Sequence, residues 1–250
     1  MPEREDFYVG YLPLPRAHRR FLQITFPITI FLMLFSAVGV ALTQRDPGAG
    51  RWQTGRASTW EGRLLFDPYP TLIVTGEHAG PYLLVRMGKR GAQDIARPHD
   101  ARRVSVRGRL LQRDGRRMIE LDDPPGADPA ITPSPITTTL PSPPPTSLGP
   151  GPLTGEILDA KCYLGAMKPG DGKAHKACAT LCVSAGIPPM LYSINPDGSR
   201  RYTLLADQHG GPLNAALLPF IGEPVSLSGH LESRAAGPTL RVDPASIRRR

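Results

Sequence analysis

The sequence predicts a mainly β protein: a single N-terminal transmembrane helix, then two tandem small OB-like β-barrels, the second with an inserted Cys/His helix. Three observations predict it. Residues 21–43 carry no charge. Segments of alternating hydrophobicity recur in the same order on either side of a Pro-rich stretch. All three cysteines fall in one segment, CYLGAMKPGDGKAHKACATLC, Cys162 to Cys182.

The first element is the apolar run FLQITFPITIFLMLFSAVGVALT, 21–43. As a helix it spans about 35 Å, enough for a hydrocarbon core of about 30 Å. Pro27 is expected in the first helical turns, where proline is tolerated best. Arg16, Arg19 and Arg20 precede the run and hold residues 1–20 in the cytoplasm, although Arg45, Arg51 and Arg56 weaken the contrast across the span. Gly39-Val40-Ala41 resembles a cleavage site, but the run and its leader are long for a signal peptide, which favours an uncleaved anchor. In either case the chain beyond about residue 44 lies outside the cytoplasm. The expected location is a bacterial inner membrane, single-pass, with the C-terminal domains in the oxidising periplasm.

Composition fits β domains after the helix. Pro 29 and Gly 26 favour short strands and turns. The formal net charge of +8 comes from scattered arginines with no compact basic helix, so it reads as a solvated surface and no nucleic-acid partner is expected. Residues 51–123 and 153–247 form the two β domains, and 124–152, rich in Pro, Thr, Ser and Gly, is an extended linker between them. Val104-Ser105-Val106-Arg107-Gly108 aligns with Val225-Ser226-Leu227-Ser228-Gly229, each opening a hairpin that closes with Met118–Leu121 or Thr239–Val242. Gly62–Leu65 and Gly155–Leu158 read as first strands, Tyr82–Val85 and Tyr202–Leu205 as middle strands. Four or five strands in each unit fit an OB-like barrel. The insertion after the first strand is short in the first half, with His78 and no cysteine, so that half reads as a spacer or docking unit.

In the second half the insertion carries the chemistry. Lys173–Ser184 is predicted helical, ended by Gly186 and Pro188-Pro189. His175, Cys178 and Cys182 then share one helix face, and Cys162 approaches from the end of the first strand. Three thiolates and one imidazole match a tetrahedral metal site in number and type. Their softness points to copper or zinc, and Met167 is a further soft donor that tilts toward copper. A Cys-x3-Cys pair also occurs in the dinuclear copper centre of cytochrome oxidase and in that enzyme's copper chaperones, but Gly186 and Pro189 stand where that centre needs His and Met. Two other readings remain open. Cys162 pairs with Cys178 or Cys182 as a brace, leaving one thiol and making the domain an interaction module. Alternatively, a thiol beside His175 and Lys176 takes part in thiol–disulfide exchange, although no CxxC is present. His209 reads as an exposed turn residue that would reach the site only through folding, and Asp159 and Glu156 as surface carboxylates. No phosphate-binding loop, nucleophile elbow or HExxH motif occurs.

The segment GEILDAKCYLGAMKPGDGKAHKACATLCVSAGIPP resembles a bacterial group of exported or membrane-anchored proteins without an assigned activity. Cys162-Tyr163, His175, Cys178-Ala179, Cys182 and Gly186-Ile187-Pro188 carry the resemblance, with MKPG as a variant. It covers about residues 153–247 and implies a small β-barrel-like domain without implying a reaction. The sequence thus leads to a non-enzymatic, membrane-embedded protein that holds copper or zinc, with a membrane protein, such as a respiratory complex, as partner.

Overall fold

A computed structural model of the chain describes residues 14–44, 50–135 and 144–250. Positions 1–13 of the N-terminal segment, Arg45 and positions 136–143 of the Pro-rich stretch lie outside the described residues. The chain divides into two units, 1–46 and 47–250.

In the first unit, helix α1 (Arg16–Thr43) starts ahead of the apolar run, so Arg16, Arg19 and Arg20 lie in its opening turns. None of its residues is buried, and its most apolar window has a mean hydropathy of 2.2. Length and composition suffice to cross a membrane, and a signal sequence near an N-terminus meets the same test. The expectation for Pro27 is corrected. Because the helix begins at Arg16, Pro27 is interior. Its missing N–H leaves the Gln23 carbonyl without a helical donor, a defect that membrane helices accommodate by local adjustment. Thr25 Oγ1 donates to Phe21 O at 2.9 Å in the same region.

The second unit is β. Its first half contains β1 (Arg51–Trp52), β2 (Ser58–Phe66), β3 (Pro70–Val74), β4 (Gly80–Arg86) and β5 (Arg90–Gly91). The short helix α2 (Gln93–Ala96), β6 (Arg103–Arg113), β7 (Arg116–Leu121) and β8 (Ile131–Pro133) follow. The second half contains β9 (Thr146–Asp159), α3 (Lys176–Ser184), β10 (Pro189–Ile194), β11 (Arg200–Ala206), β12 (Pro224–Arg234), β13 (Gly237–Val242) and β14 (Arg248–Arg249).

Strand pairing closes a five-stranded barrel in each half. The first runs β2-β3-β4-β7-β6 and back to β2, with β4–β7 parallel and the rest antiparallel. The second runs β9-β10-β11-β13-β12 and back to β9, with β11–β13 parallel. This order is that of an OB-like barrel. The alternating segments at 104–108 and 225–229 form β6 and β12, as expected. Within them Gly108 and Gly229 do the same work. A Cβ on Gly108 would stand 2.4 Å from Glu120 O, and one on Gly229 2.0 Å from Arg241 O. The hairpin partner therefore passes where only hydrogen fits. Gly229→Ala is expected to lower stability by about 1–3 kcal/mol, as overpacking does, readable as a lower urea midpoint at unchanged m.

The linker expectation is corrected in part. Ile131–Pro133 pairs with β6, and residues 146–152 are the first half of β9, paired along β12 from Thr146↔Ser233 to Pro152↔Ser228. Pro150 and Pro152 alternate, so both missing N–H groups lie on one side of the strand. Over these residues β9 has β12 as a partner and meets β10 only from Glu156 onward.

The two barrels share a core. Tyr69, Leu83, Val85, Leu111 and Met118 of the first pack with Leu158, Tyr163, Leu164, Met190 and Leu204 of the second. Cys162 and Cys182 lie in the same cluster. Polar contacts reinforce it. Tyr69 Oη donates to Leu205 O at 2.7 Å and accepts from Leu213 N–H at 3.2 Å. The Arg113 guanidinium lies 3.9 Å from the centroid of the Tyr163 ring and donates to Tyr163 O at 3.1 Å.

Candidate metal centre

The connection between the first two strands of each barrel decides where the chemistry sits. In the first barrel it is the three residues Asp67-Pro68-Tyr69 between β2 and β3; in the second it runs from Ala160 to Pro188. At its start the chain leaves β9 through Asp159 and makes a wide helical turn, Cys162–Ala166. Asp159 Oδ1 accepts the Cys162 N–H at 2.8 Å, which fixes the entry to that turn. Helix α3 begins one residue after His175 and carries Cys178 and Cys182 four residues apart, one above the other. The helix predicted from Lys173 thus starts at Lys176: Cys178 and Cys182 share a face, while His175 precedes the helix as its N-cap residue.

The C-terminal end of α3 is stopped by Gly186 at φ +92°, a left-handed conformation that suits glycine. Its last carbonyls are satisfied from both barrels. Gly91 N–H donates to Ala185 O at 2.8 Å, and Gln93 Nε2 to Gly186 O at 2.5 Å. Asn214 Nδ2 donates to Val183 O and Ile187 O. The first barrel thus packs directly on the end of the cysteine helix.

The ligand atoms of Cys162, Cys178 and Cys182 lie within 4.8 Å of one another. Cys162 and Cys182 are buried, Cys178 half-buried, and none is in a disulfide. The Cys162 and Cys182 sulfurs are 4.0 Å apart. A disulfide requires about 2.05 Å. Two sulfurs each about 2.3 Å from one tetrahedral ion stand about 3.8 Å apart. The observed spacing is too long for a disulfide and close enough for both sulfurs to hold one ion. The contact with Cys182 and burial push the Cys162 thiol up, and the same contact holds Cys182 below the usual thiol range.

A second group shares Cys162: the ligand atoms of Asp159, Cys162 and His175 also lie within 4.8 Å of one another. His175 Nε2 is 2.8 Å from Asp159 Oδ2, and their side chains are 1% and 0% exposed. A carboxylate only accepts, so Nε2 carries a proton, and in the neutral ring Nδ1 is the nitrogen with a lone pair. That Nδ1 is buried and has no hydrogen-bond partner. A histidine held by a carboxylate through one nitrogen and free at the other is the usual arrangement of a metal ligand. The sequence placed His175 with all three sulfurs; the structure brings it to Cys162 and leaves it outside the three-sulfur group.

Other expectations change. Asp159 is not a surface carboxylate but fully buried, because it must hold both His175 and the Cys162 amide. Glu156 is half-buried and accepts the Gly172 N–H at 2.5 Å; burial holds its carboxyl above the usual range. Met167 is 44% exposed, which makes it a surface residue beyond the turn and not a buried donor. His209 and His78 are exposed turn residues.

Two lysines escaped sequence reasoning. Lys89, in the β4–β5 turn of the first barrel, places Nζ 3.0 Å from Cys178 Sγ, and that bond holds its ammonium above the usual range. Lys161, next to Cys162, is buried and pairs with Glu120 at 2.5 Å. It also donates to Arg86 O at 3.0 Å and Gly88 O at 2.5 Å. Asp159 had a local signal, a carboxylate closing a strand three residues before a cysteine. Lys89 had none, being remote in sequence and supplied by the other barrel.

The chain matches no known family, no curated protein and no solved structure, so its function is read from this cluster of three sulfurs, one imidazole and one carboxylate.

Proposed function

We propose that the protein is a membrane-anchored, periplasm-facing carrier of one soft metal ion, copper or zinc, held by Cys162, Cys178 and Cys182 with His175 as the fourth donor. One observation carries the reading: three unbonded sulfurs lie within 4.8 Å of one another, and one of them, Cys162, is shared with a buried Asp159–His175 pair. Thiolates and imidazole favour copper(I) and zinc over hard cations. The apolar helix α1 supports anchoring, and anchoring supports a membrane protein as the recipient of the ion. The resemblance of residues 153–247 to exported bacterial proteins points the same way.

Elemental analysis of the detergent-purified chain tests it. One copper or zinc ion per chain is expected in the wild type, and a small fraction of that in Cys178→Ser and Cys182→Ser. A metal-free wild type with two of its three thiols unavailable to a thiol reagent would overturn the reading. That result would favour a Cys162–Cys182 brace in an interaction module, the two buried sulfurs being neighbours across the connection.

A further inference from the structure

We infer that Cys178 is the exit ligand of the metal site, and that Lys89 of the first barrel eases departure of the ion to a thiolate-bearing acceptor at that edge. This rests on the metal-carrying reading above and assigns a direction to it.

Ligand exchange must begin where an incoming donor can approach. Cys162 is 4% exposed and Cys182 1%, whereas Cys178 is half-buried at the margin of the shared core. His175 is buried, 2% exposed. The cluster therefore has one accessible sulfur, and that is the one a cation touches. Among the described residues Lys89 pairs with no carboxylate, so its ammonium is not committed elsewhere.

Lys89 is exposed, yet the turn that carries it is fixed on both sides. On one flank the buried Lys161 ammonium binds Arg86 O and Gly88 O. On the other, Gly91 N–H and Gln93 Nε2 hold the end of α3. Both anchors tie the turn to the segment that bears the cysteines. The ammonium therefore reaches Cys178 from a rigid base, across a shared core.

The exchange balances without a redox partner. An acceptor thiolate, its proton already lost to solvent, forms a bond to the ion as the ion–Cys178 bond breaks. Cys178 leaves as a thiolate, its charge matched by Lys89. No electron changes hands, and the ion keeps its oxidation state. Removing the ammonium removes the charge that stabilises the leaving sulfur.

The test loads the full-length chain in detergent with copper(I), mixes it with excess dithiothreitol, and follows the copper retained by the protein after rapid desalting at successive times. Lys89→Met is expected to load fully and to release the ion about two- to fivefold more slowly at low salt, the range an exposed ionic contact supports. Lys89→Arg should keep the wild-type rate. Added salt should slow the wild type toward Lys89→Met and leave the variant unchanged, since an exposed contact is screened. Brief alkylation of the loaded chain should mark Cys178 before Cys162 or Cys182. Equal rates in wild type and Lys89→Met, or earlier marking of a buried cysteine, would overturn the inference and leave the metal reading standing. A wild type that takes up no copper would overturn both.

Discussion

Lys161→Met is expected to destabilise the 47–250 unit by about 3–5 kcal/mol, because it leaves the Glu120 carboxylate buried without its counter-ion. Both side chains are 5% exposed and 2.5 Å apart, one from each barrel. A surface pair would be worth under about 1 kcal/mol, so burial decides the size of the effect. The double variant Lys161→Met, Glu120→Leu should recover part of the loss by removing both charges. Recovery stops short of wild type because Arg86 O and Gly88 O lose their charged donor. Urea unfolding of the three proteins checks this; equal stability of wild type and Lys161→Met would show the pair to be open to solvent.

Asp159→Asn is expected to weaken metal affinity about 10- to 100-fold while preserving side-chain volume, the usual effect of losing a carboxylate behind a ligand histidine. The reason is the tautomer. Asp159 accepts from His175 Nε2 and from the Cys162 amide at once. An asparagine can accept at one of these and must present its amide N–H to the other. Facing His175, that N–H forces Nε2 to act as acceptor and moves the proton to Nδ1, which then has no lone pair to give. Facing Cys162, it opposes a backbone donor. Competition against a chelator of known affinity measures the change. An unaltered affinity would mean that His175 does not touch the ion and that the three sulfurs act alone.

Much of the architecture was written locally. The segments at 104–108, 118–121, 225–229 and 239–242 form β6, β7, β12 and β13; burial alternates along 104–108, while 118–121 is buried on both faces because Met118 enters the shared core and Ile119 the first barrel's own. The pairing of Cys178 and Cys182 on one helix face follows from helix periodicity alone. What was hidden depends on partners distant in sequence. Pro150 and Pro152 disguise a strand as a linker, since proline's meaning in a sheet depends on which side the neighbour lies, and β12 is 70 to 80 residues downstream. Asp159 reads as a surface carboxylate until His175 folds back onto it. Lys89 and Glu120 belong to the other barrel, and nothing near them announces a cysteine cluster. Pro27 moved inward for a different reason: the helix recruits charged residues ahead of its apolar run, and hydropathy alone does not mark such a start.

The common core has a consequence for modularity. The motif is spelled entirely by the second half, yet its environment is furnished by Tyr69, Leu111, Met118, Lys89 and Gln93 of the first. Cutting at the proline-rich stretch would separate the letters of the motif from the walls that keep water off two of its sulfurs. The halves are therefore not interchangeable beads on a string. A change of bulk at Met118 must be answered at Tyr163 or Leu164, and the chemistry belongs to the pair.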